Sequence, residues 1–99
     1  MAFRLEFSDE AAAVLRQLQQ SVSDSNKLRR ITKALALLES NPRHPGLRAH
    51  RYQSKAGPGG EPVWEVYVEN RVPQAWRIWF WYGPVRETIT ILTIGPQPD

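Results

Sequence analysis

One short stretch of the chain, AWRIWFWY at residues 75–82, places a single arginine among three of the four tryptophans. Side chains of an extended strand alternate between its two faces, so Arg77, Trp79 and Trp81 share one face. The planar fork of an arginine binds two phosphate oxygens at once, and aromatic rings stack on nucleic-acid bases. We therefore expect Arg77 to face a ligand or solvent, with Trp79 and Trp81 exposed beside it.

A second feature is the basic segment between Glu39 and Glu61, which contains no acidic residue. Cations next to exposed aromatic rings suit RNA, because phosphates take the charge and splayed bases stack. The alternative is a solvated basic loop with aromatic residues packed at a strand edge, and these residues alone leave both open. The segment contains Arg43, His44, Arg48, His50, Arg51 and Lys55.

Other kinds of chemistry find little support in the sequence. His44 and His50 lie six residues apart with no third ligand, so we expect no metal site. Glu65 and Glu69 occupy alternate strand positions and are interpreted as surface carboxylates rather than as an acid–base pair. Motifs for phosphate loops, dinucleotides and serine nucleophiles are missing, so we expect no cofactor.

Length and composition bound the class of protein. The 99 residues predict one domain, 1–99, and the net charge of +3 with a pI near 9.7 mildly favours a polyanionic partner. The sequence has no cysteine, its start shows no signal-peptide run, and no stretch approaches the length of a membrane span. We therefore expect a soluble cytoplasmic protein without membrane association.

The predicted secondary structure that positions these residues changes from mainly helical to strand near Pro42. FRLEF at 3–7 predicts a strand, Ser8 caps a first helix that continues to about Val22, and a second helix spans about 26–40. Their short connection predicts an antiparallel helical hairpin. The basic side of the second helix is interpreted as a solvated face or a secondary nucleic-acid contact, and it carries Lys27, Arg29, Arg30 and Lys33.

After Pro42 the pattern alternates and predicts four strands, GLRAHRYQ (46–53), VWEVYVEN (63–70), AWRIWFWY (75–82) and ETITILTI (87–94). Short turns join the last three into an antiparallel meander, whereas the SKAGPGGEP loop (54–62) should be mobile and exposed. Trp64, Val66 and Val68 mark the core face. The prediction is a two-layer α+β fold with an N-terminal strand and a helical hairpin packed on one face of a mainly antiparallel sheet of four to five strands.

This order of elements, with AWRIWFWY followed by ITILTIG, resembles the RelE/ParE superfamily of toxins from bacterial toxin–antitoxin systems over nearly the whole chain. The most specific part is an arginine followed by apolar and aromatic residues in the penultimate strand, Arg77–Phe80, paired with a last strand that ends LTIG at 92–95. Within the superfamily the RelE-like branch is favoured.

The resemblance implies a specific function. RelE-like members are ribosome-dependent endonucleases that cut mRNA in the decoding site, ParE-like members poison DNA gyrase, and a cognate antitoxin silences both. Arg77 matches the strand arginine that contacts the scissile phosphate, and Arg51 and Lys55 match basic residues around the second strand, so these three are the expected catalytic residues. The expected substrate-binding residues are Arg48, His50, Tyr67, Trp79 and Trp81.

The chain departs from this pattern after its last strand. Many active members have His, Tyr, Lys or Arg there, whereas GPQPD offers Gln97, which is no proton-transfer group. Tyr52, Tyr67, His50 or a ribosomal group could compensate, or the protein could bind without cutting, so enzymatic activity stays open.

The expected function is therefore that of the toxin of a type II toxin–antitoxin system, which inhibits translation by cleaving or binding mRNA on the ribosome. Its expected partners are a cognate antitoxin, in a hetero-oligomer, and the ribosome with its mRNA. We also expect an antitoxin segment to cover Trp79 and Trp81, because exposed tryptophans are too apolar to remain unused. The alternatives are a ParE-like gyrase inhibitor and a non-catalytic RNA- or protein-binding module of the same fold.

Overall fold

The computed structural model describes residues 2–98, which form one layer of helices on a five-stranded sheet. In chain order the elements are β1 (Arg4–Phe7), α1 (Asp9–Gln19), α2 (Ser25–Ser40), β2 (His50–Ala56), β3 (Pro62–Tyr67), β4 (Trp76–Tyr82) and β5 (Thr88–Pro96). The strands lie in the order β1-β5-β4-β3-β2. The pairs β2–β3, β3–β4 and β4–β5 are antiparallel, and β1 pairs in parallel with β5. The predicted α+β fold is confirmed.

Helix α1 begins at Ser8, as the sequence predicts. The Ser8 hydroxyl accepts a hydrogen bond of 3.0 Å from the Ala11 amide and donates one of 2.5 Å to the Leu92 carbonyl. Asp9 and Glu10 occupy the first turn, where a negative charge is favourable beside the positive end of the helix dipole. This single serine therefore both caps the helix and ties its start to β5.

The main core lies between the helices and one face of the sheet, as the alternating pattern predicts. Apolar side chains at helical spacing on α1 and α2 meet alternate residues of β3, β4 and β5, and the removal of this surface from water drives the two layers together. The fully buried members are Ala11, Ile31, Leu38, Val66, Ile78, Phe80, Ile89 and Ile91.

Strand β2 lies further along the chain than the sequence predicts. Residues 45–47 form a 3-10 turn and Arg48 has a positive φ of 52°, so the strand starts only at His50. It continues to Ala56, which pairs with Pro62. The connection is therefore shorter than the predicted loop 54–62: it is a tight hairpin turn over residues 57–61, closed by a hydrogen bond of 2.9 Å from the Gly57 amide to the Glu61 carbonyl.

The sheet face opposite the helices is not open at its centre, so the predicted exposure of its aromatic residues is wrong. The alternation is correct, but Trp79 is 3% exposed and Trp81 5% exposed, in a second apolar cluster with Val63. Tyr52 of β2 and Leu92 of β5 pack against this cluster from either side. The tryptophans therefore need no partner to shield them, and the expected masking of these rings by an antitoxin loses its basis.

Curvature of the sheet explains this burial. Lys55 and Ala56 at the β2 edge line one small cleft together with Leu92 and Thr93 of β5, although two strands separate β2 from β5. The β4–β5 register shifts opposite Trp79 and Phe80, where β5 carries an extra residue. A bulge bends its strand and increases the local twist, so the sheet curves and its concave face becomes partly covered by its own outer strands. Among residues 2–98, no helix is long and apolar enough to cross a membrane.

Candidate functional site

We call the sheet face opposite the helices the Arg77 face, and it carries Tyr52, Val63, Glu65, Tyr67, Arg77, Trp79 and Trp81. Four of these residues are cross-strand neighbours. Tyr67 of β3 pairs with Arg77 of β4, and Glu65 pairs with Trp79. Because directly opposed side chains in an antiparallel pair lie close together, this register places a carboxylate, a phenol and a guanidinium in one patch.

Arg77 itself is buried, 4% exposed, and the expectation that it faces solvent is wrong. Its Nη1 donates to the carbonyls of Glu69 at 2.5 Å and Trp76 at 3.1 Å, and its Nη2 donates to Oε1 of Gln97 at 3.1 Å. A buried guanidinium requires such acceptors, because an unpaired buried donor is costly. In this state both Nη atoms of Arg77 are bonded to the protein's own oxygens, one of which belongs to the exposed Gln97 side chain, while Nε has no partner within residues 2–98.

Two guanidinium groups lie near the Tyr67 ring. The Cζ atom of Arg77 is 3.8 Å from the centroid of the Tyr67 ring, and that of Arg48 is 5.5 Å from it. Both distances allow a cation–π attraction. Arg48 is exposed, so this group of three residues, which we call the Tyr67 stack, includes one buried cation and one cation at the surface.

His50 and Glu65 form a hydrogen-bonded pair beside this stack. Nε2 of His50 lies 2.7 Å from Oε1 of Glu65, and Nδ1 lies 2.9 Å from the carbonyl of Arg48. A carbonyl only accepts, so Nδ1 carries a hydrogen, and Nε2 shares a second hydrogen with the carboxylate. His50 therefore has no free ring nitrogen and transfers a proton to a substrate only after one of these contacts opens.

Glu65 is the site residue that the sequence interpretation missed. It is 2% exposed, so it is not a surface carboxylate, and its Oε2 has no hydrogen-bond partner within residues 2–98. The signal in the sequence is the alternation of side chains along β3, which places Glu65 on the same face as Tyr67. The aromatic residues of the next strand cover that face. Glu69 also differs from its expected role, because its Oε1 accepts a hydrogen bond of 3.0 Å from the Trp76 amide.

We predict an energetic coupling between His50 and Glu65. A charge-assisted hydrogen bond with one partly exposed partner should contribute about 1 kcal/mol to the free energy of unfolding. The measurement is a double-mutant cycle of His50→Ala and Glu65→Gln in chemical denaturation. Additivity of the two single effects within about 0.3 kcal/mol would show that the pair does not act as a unit.

A cleft of 460 Å³ adjoins the stack on the Arg77 face. Lys55 and Tyr52 of β2 lie on one side, and Thr93 and Gly95 of β5 lie on the other, with Trp79 between them. Gly95 pairs with Arg77, and a Cβ built on it meets no atom within 4 Å, so the space above it is open. The cleft is large enough for a small ligand.

Arg51 does not join this face. It pairs with Trp64, whose side chain belongs to the helix-side core, and its Cζ lies 5.7 Å from the Trp64 ring. The structure therefore separates Arg51 from Arg77, and Lys55 borders the neighbouring cleft. What the fold brings together with Arg77 is Arg48, His50 and Tyr67.

The basic side of α2 borders Tyr67 from another direction. A cleft of 530 Å³ lies between the helix and the end of β3, and its walls include Arg29, Arg30, Lys33 and Tyr67. These three cations and Arg48 therefore all lie near the end of β3 that carries Tyr67. Such a concentration of like charge attracts polyanions.

Comparisons of the sequence with protein-family models and with curated proteins find no match, whereas solved structures resemble the fold. The archaeal RelE–RelB complex from Pyrococcus horikoshii OT3 has a TM-score of 0.65 at 16% identity, over 97% of this chain and 96% of that chain. The YoeB/ParE toxin from Agrobacterium tumefaciens has a TM-score of 0.70 at 7% identity, over 96% and 99%. The YoeB dimer from Staphylococcus aureus has a TM-score of 0.69 at 12% identity, over 99% and 100%. The chain thus has the fold of the RelE, YoeB and ParE toxins, as its sequence pattern predicts.

Proposed function

We propose that this chain is a RelE/ParE superfamily toxin of a type II toxin–antitoxin system and that it inhibits translation by binding or cleaving mRNA on the ribosome. The observation that carries the proposal is the cluster of cations near Tyr67, on a fold that similar toxins share along their whole length. The whole chain, 1–99, acts as one cytoplasmic toxin domain. A cognate antitoxin is its partner, as RelB is in the archaeal RelE complex.

The exposed cations hold the RNA backbone in this proposal. Arg48 lies at the outer end of the Tyr67 stack, and Lys55 borders the cleft beside it. Phosphates bind such groups largely by charge, with little dependence on base sequence. Arg77 orients Tyr67 from below and reaches a phosphate only after Gln97 releases its Nη2 atom.

Cleavage would need a base for the 2′-hydroxyl, a cation for the charge that develops on phosphorus, and an acid for the leaving 5′-oxygen. Arg48 suits the second role, because its guanidinium is exposed next to the stack. His50 suits a proton-transfer role once Nε2 leaves Glu65. Gln97 contributes no proton, so its part is to hold Arg77.

A second candidate is a gyrase-directed, ParE-like activity. The specific observation in its favour is that Arg77 is buried and bonded to protein oxygens, which suits binding better than phosphate chemistry. In that case the basic side of α2, with Arg29, Arg30 and Lys33, becomes the contact surface.

The deciding experiment compares two activities of the purified chain. We expect it to stop protein synthesis in a translating extract, with or without mRNA cleavage, and to leave supercoiling by gyrase unchanged. Arg48→Gln and Lys55→Gln should each weaken inhibition about tenfold, because each removes a backbone contact. Arg16→Gln, an exposed change of equal charge on α1, is the matched control and should have no effect.

Two results would overturn the proposal. Blocked supercoiling with normal translation would identify the gyrase-directed function instead. If the purified chain leaves both translation and supercoiling unchanged, and cells that express it grow normally, the toxin assignment is wrong.

A further inference from the structure

A separate cleft lies on the helix side of the sheet, between residues 42–49 and the rings of Trp64 and Tyr82. We propose that this Tyr82 cleft binds one nucleotide of single-stranded RNA, with the base stacked on Tyr82 and the phosphate held by Arg43 and Arg48. The ligand class rests on the proposed RNA-directed function, but the site is distinct from the Arg77 face. Its walls are formed by Pro42, Arg43, His44, Pro45, Arg48, Ala49, Trp64 and Tyr82.

The two rings form a corner. The centroids of Trp64 and Tyr82 are 6.4 Å apart and their planes meet at 77°. Phe80 at 5.5 Å and Phe3 at 5.9 Å support Tyr82 from the core side, yet the residue remains 41% exposed. An aromatic ring that is held in place and still exposed is a platform for a base.

This corner also offers more accessible aromatic surface than the centre of the Arg77 face does. Trp79 and Trp81 are buried, and Tyr67 has Arg77 over its ring at 3.8 Å and Arg48 at 5.5 Å. Tyr52 of that face is half-buried and packs edge-on against Trp79, so a base stacks on the more exposed Tyr82 more readily than on the rings of the Arg77 face.

Cations line the opposite wall of the cleft. Arg43 and Arg48 are exposed, and neither forms a salt bridge with a carboxylate within residues 2–98. Burial raises the pKa of Tyr82, while Arg43 acts in the opposite direction, so Arg43 lies within electrostatic reach of the phenol. A phosphate attached to a base stacked on Tyr82 would therefore meet positive charge.

The loop that carries these cations has a defined shape before any ligand binds. The Arg43 amide donates to Oδ1 of Asn41 at 3.0 Å, and Nδ1 of His44 accepts from the Gly46 amide at 3.0 Å. Since Nδ1 of His44 is an acceptor, its ring hydrogen is on Nε2, which is a further donor for a phosphate. Preorganised donors lower the entropy lost on binding.

Size and position fit one nucleotide. The cleft has a volume of 340 Å³, near the lower end of small-ligand sites, so it holds a mononucleotide unit rather than a helix. Arg48 borders both this cleft and the Tyr67 stack. A single strand that crosses the Arg77 face can therefore pass Arg48 and place its next base on Tyr82.

The test measures binding of a short, fluorescently labelled oligouridylate to the purified chain by anisotropy. Tyr82→Ala should weaken binding about five- to a hundredfold, whereas Tyr82→Phe keeps the ring and should bind within about twofold of the parent. Arg43→Gln should lower the slope of log K against log salt by about 0.7, as for one lost phosphate contact. Arg16→Gln is the control of equal charge, and thermal denaturation of each variant checks folding.

The outcomes separate this site from the proposed function. Equal binding by the parent, Tyr82→Ala and Arg43→Gln, with weaker binding by Arg48→Gln, would overturn the Tyr82 cleft and leave the RNA-directed function standing. A second contrary result would be that an acidic peptide displaces the labelled RNA as effectively as unlabelled RNA does, and to the same extent in the Tyr82→Ala variant. That result would overturn the Tyr82 cleft and identify a peptide site. Absence of any RNA binding, together with normal translation, would overturn both proposals.

Discussion

Replacement of Arg77 by alanine is expected to lower the free energy of unfolding by about 3 kcal/mol. The change removes three hydrogen bonds from a charged donor and leaves the carbonyls of Glu69 and Trp76 without this partner in a partly buried environment. It also removes the contact with Tyr67 at 3.8 Å. In a domain of this size the melting temperature should fall by about 12–24 °C.

Two further variants identify the cause. Arg77→Met keeps the apolar stem and removes the hydrogen bonds, so it should lose most of the same stability. Gln97→Ala removes one of the three acceptors and should cost about 1 kcal/mol. Circular dichroism during thermal and chemical denaturation measures all three. A loss for Arg77→Ala within about 0.5 kcal/mol, as at an exposed arginine, would contradict the burial described above.

Stability also separates the two roles of Arg77. If the residue mainly orients Tyr67, Arg77→Lys should impair folding and inhibition together, because lysine keeps the charge but loses the fork. If it binds phosphate directly after Gln97 moves, Gln97→Ala should strengthen RNA binding while the protein stays folded. Measurement of melting temperature and RNA affinity on the same preparations distinguishes these outcomes.

Replacement of Trp79 by alanine is the second large effect that we expect, a loss of about 3–5 kcal/mol in the free energy of unfolding. The indole is 3% exposed and packs with Val63 and Trp81, and the Tyr52 ring lies 5.7 Å from it. Its deletion leaves a cavity on a face that the helices do not cover. A surface tryptophan on an open sheet would cost far less.

Trp79→Phe is the matched control for this prediction. It replaces the indole by a smaller aromatic ring. The change also removes the Nε1 donor, which has no partner within residues 2–98. We therefore expect a smaller loss of about 1 kcal/mol. Denaturant midpoints and slopes for both variants provide the measurement. A loss below about 1 kcal/mol for Trp79→Ala would mean that the second cluster does not contribute to the core.

Much of the fold could be predicted from local patterns. The sequence predicts that Ser8 begins α1, because its hydroxyl accepts from a free amide of the helix start and the following acidic residues favour the positive end of the helix dipole. The alternation in β3 and β4 identified which residues face the helices, since side chains in a strand alternate regardless of what covers them. The sequence pattern places the start of β2 too early in the chain. The turn at 45–47 requires a positive φ at Arg48, and an arginine at that position does not indicate one.

The candidate site was only half predictable for a related reason. Residue types and spacing by themselves determined the α+β fold, the shared face of Arg77, Trp79 and Trp81, and the basic character of the segment before β3. Only the tertiary structure decided that this face is concave and buried, that Arg51 lies on the opposite face, and that Glu65 meets His50. Parity along a strand is a local property, whereas exposure depends on the curl of the sheet and on the register between strands that are distant in the chain.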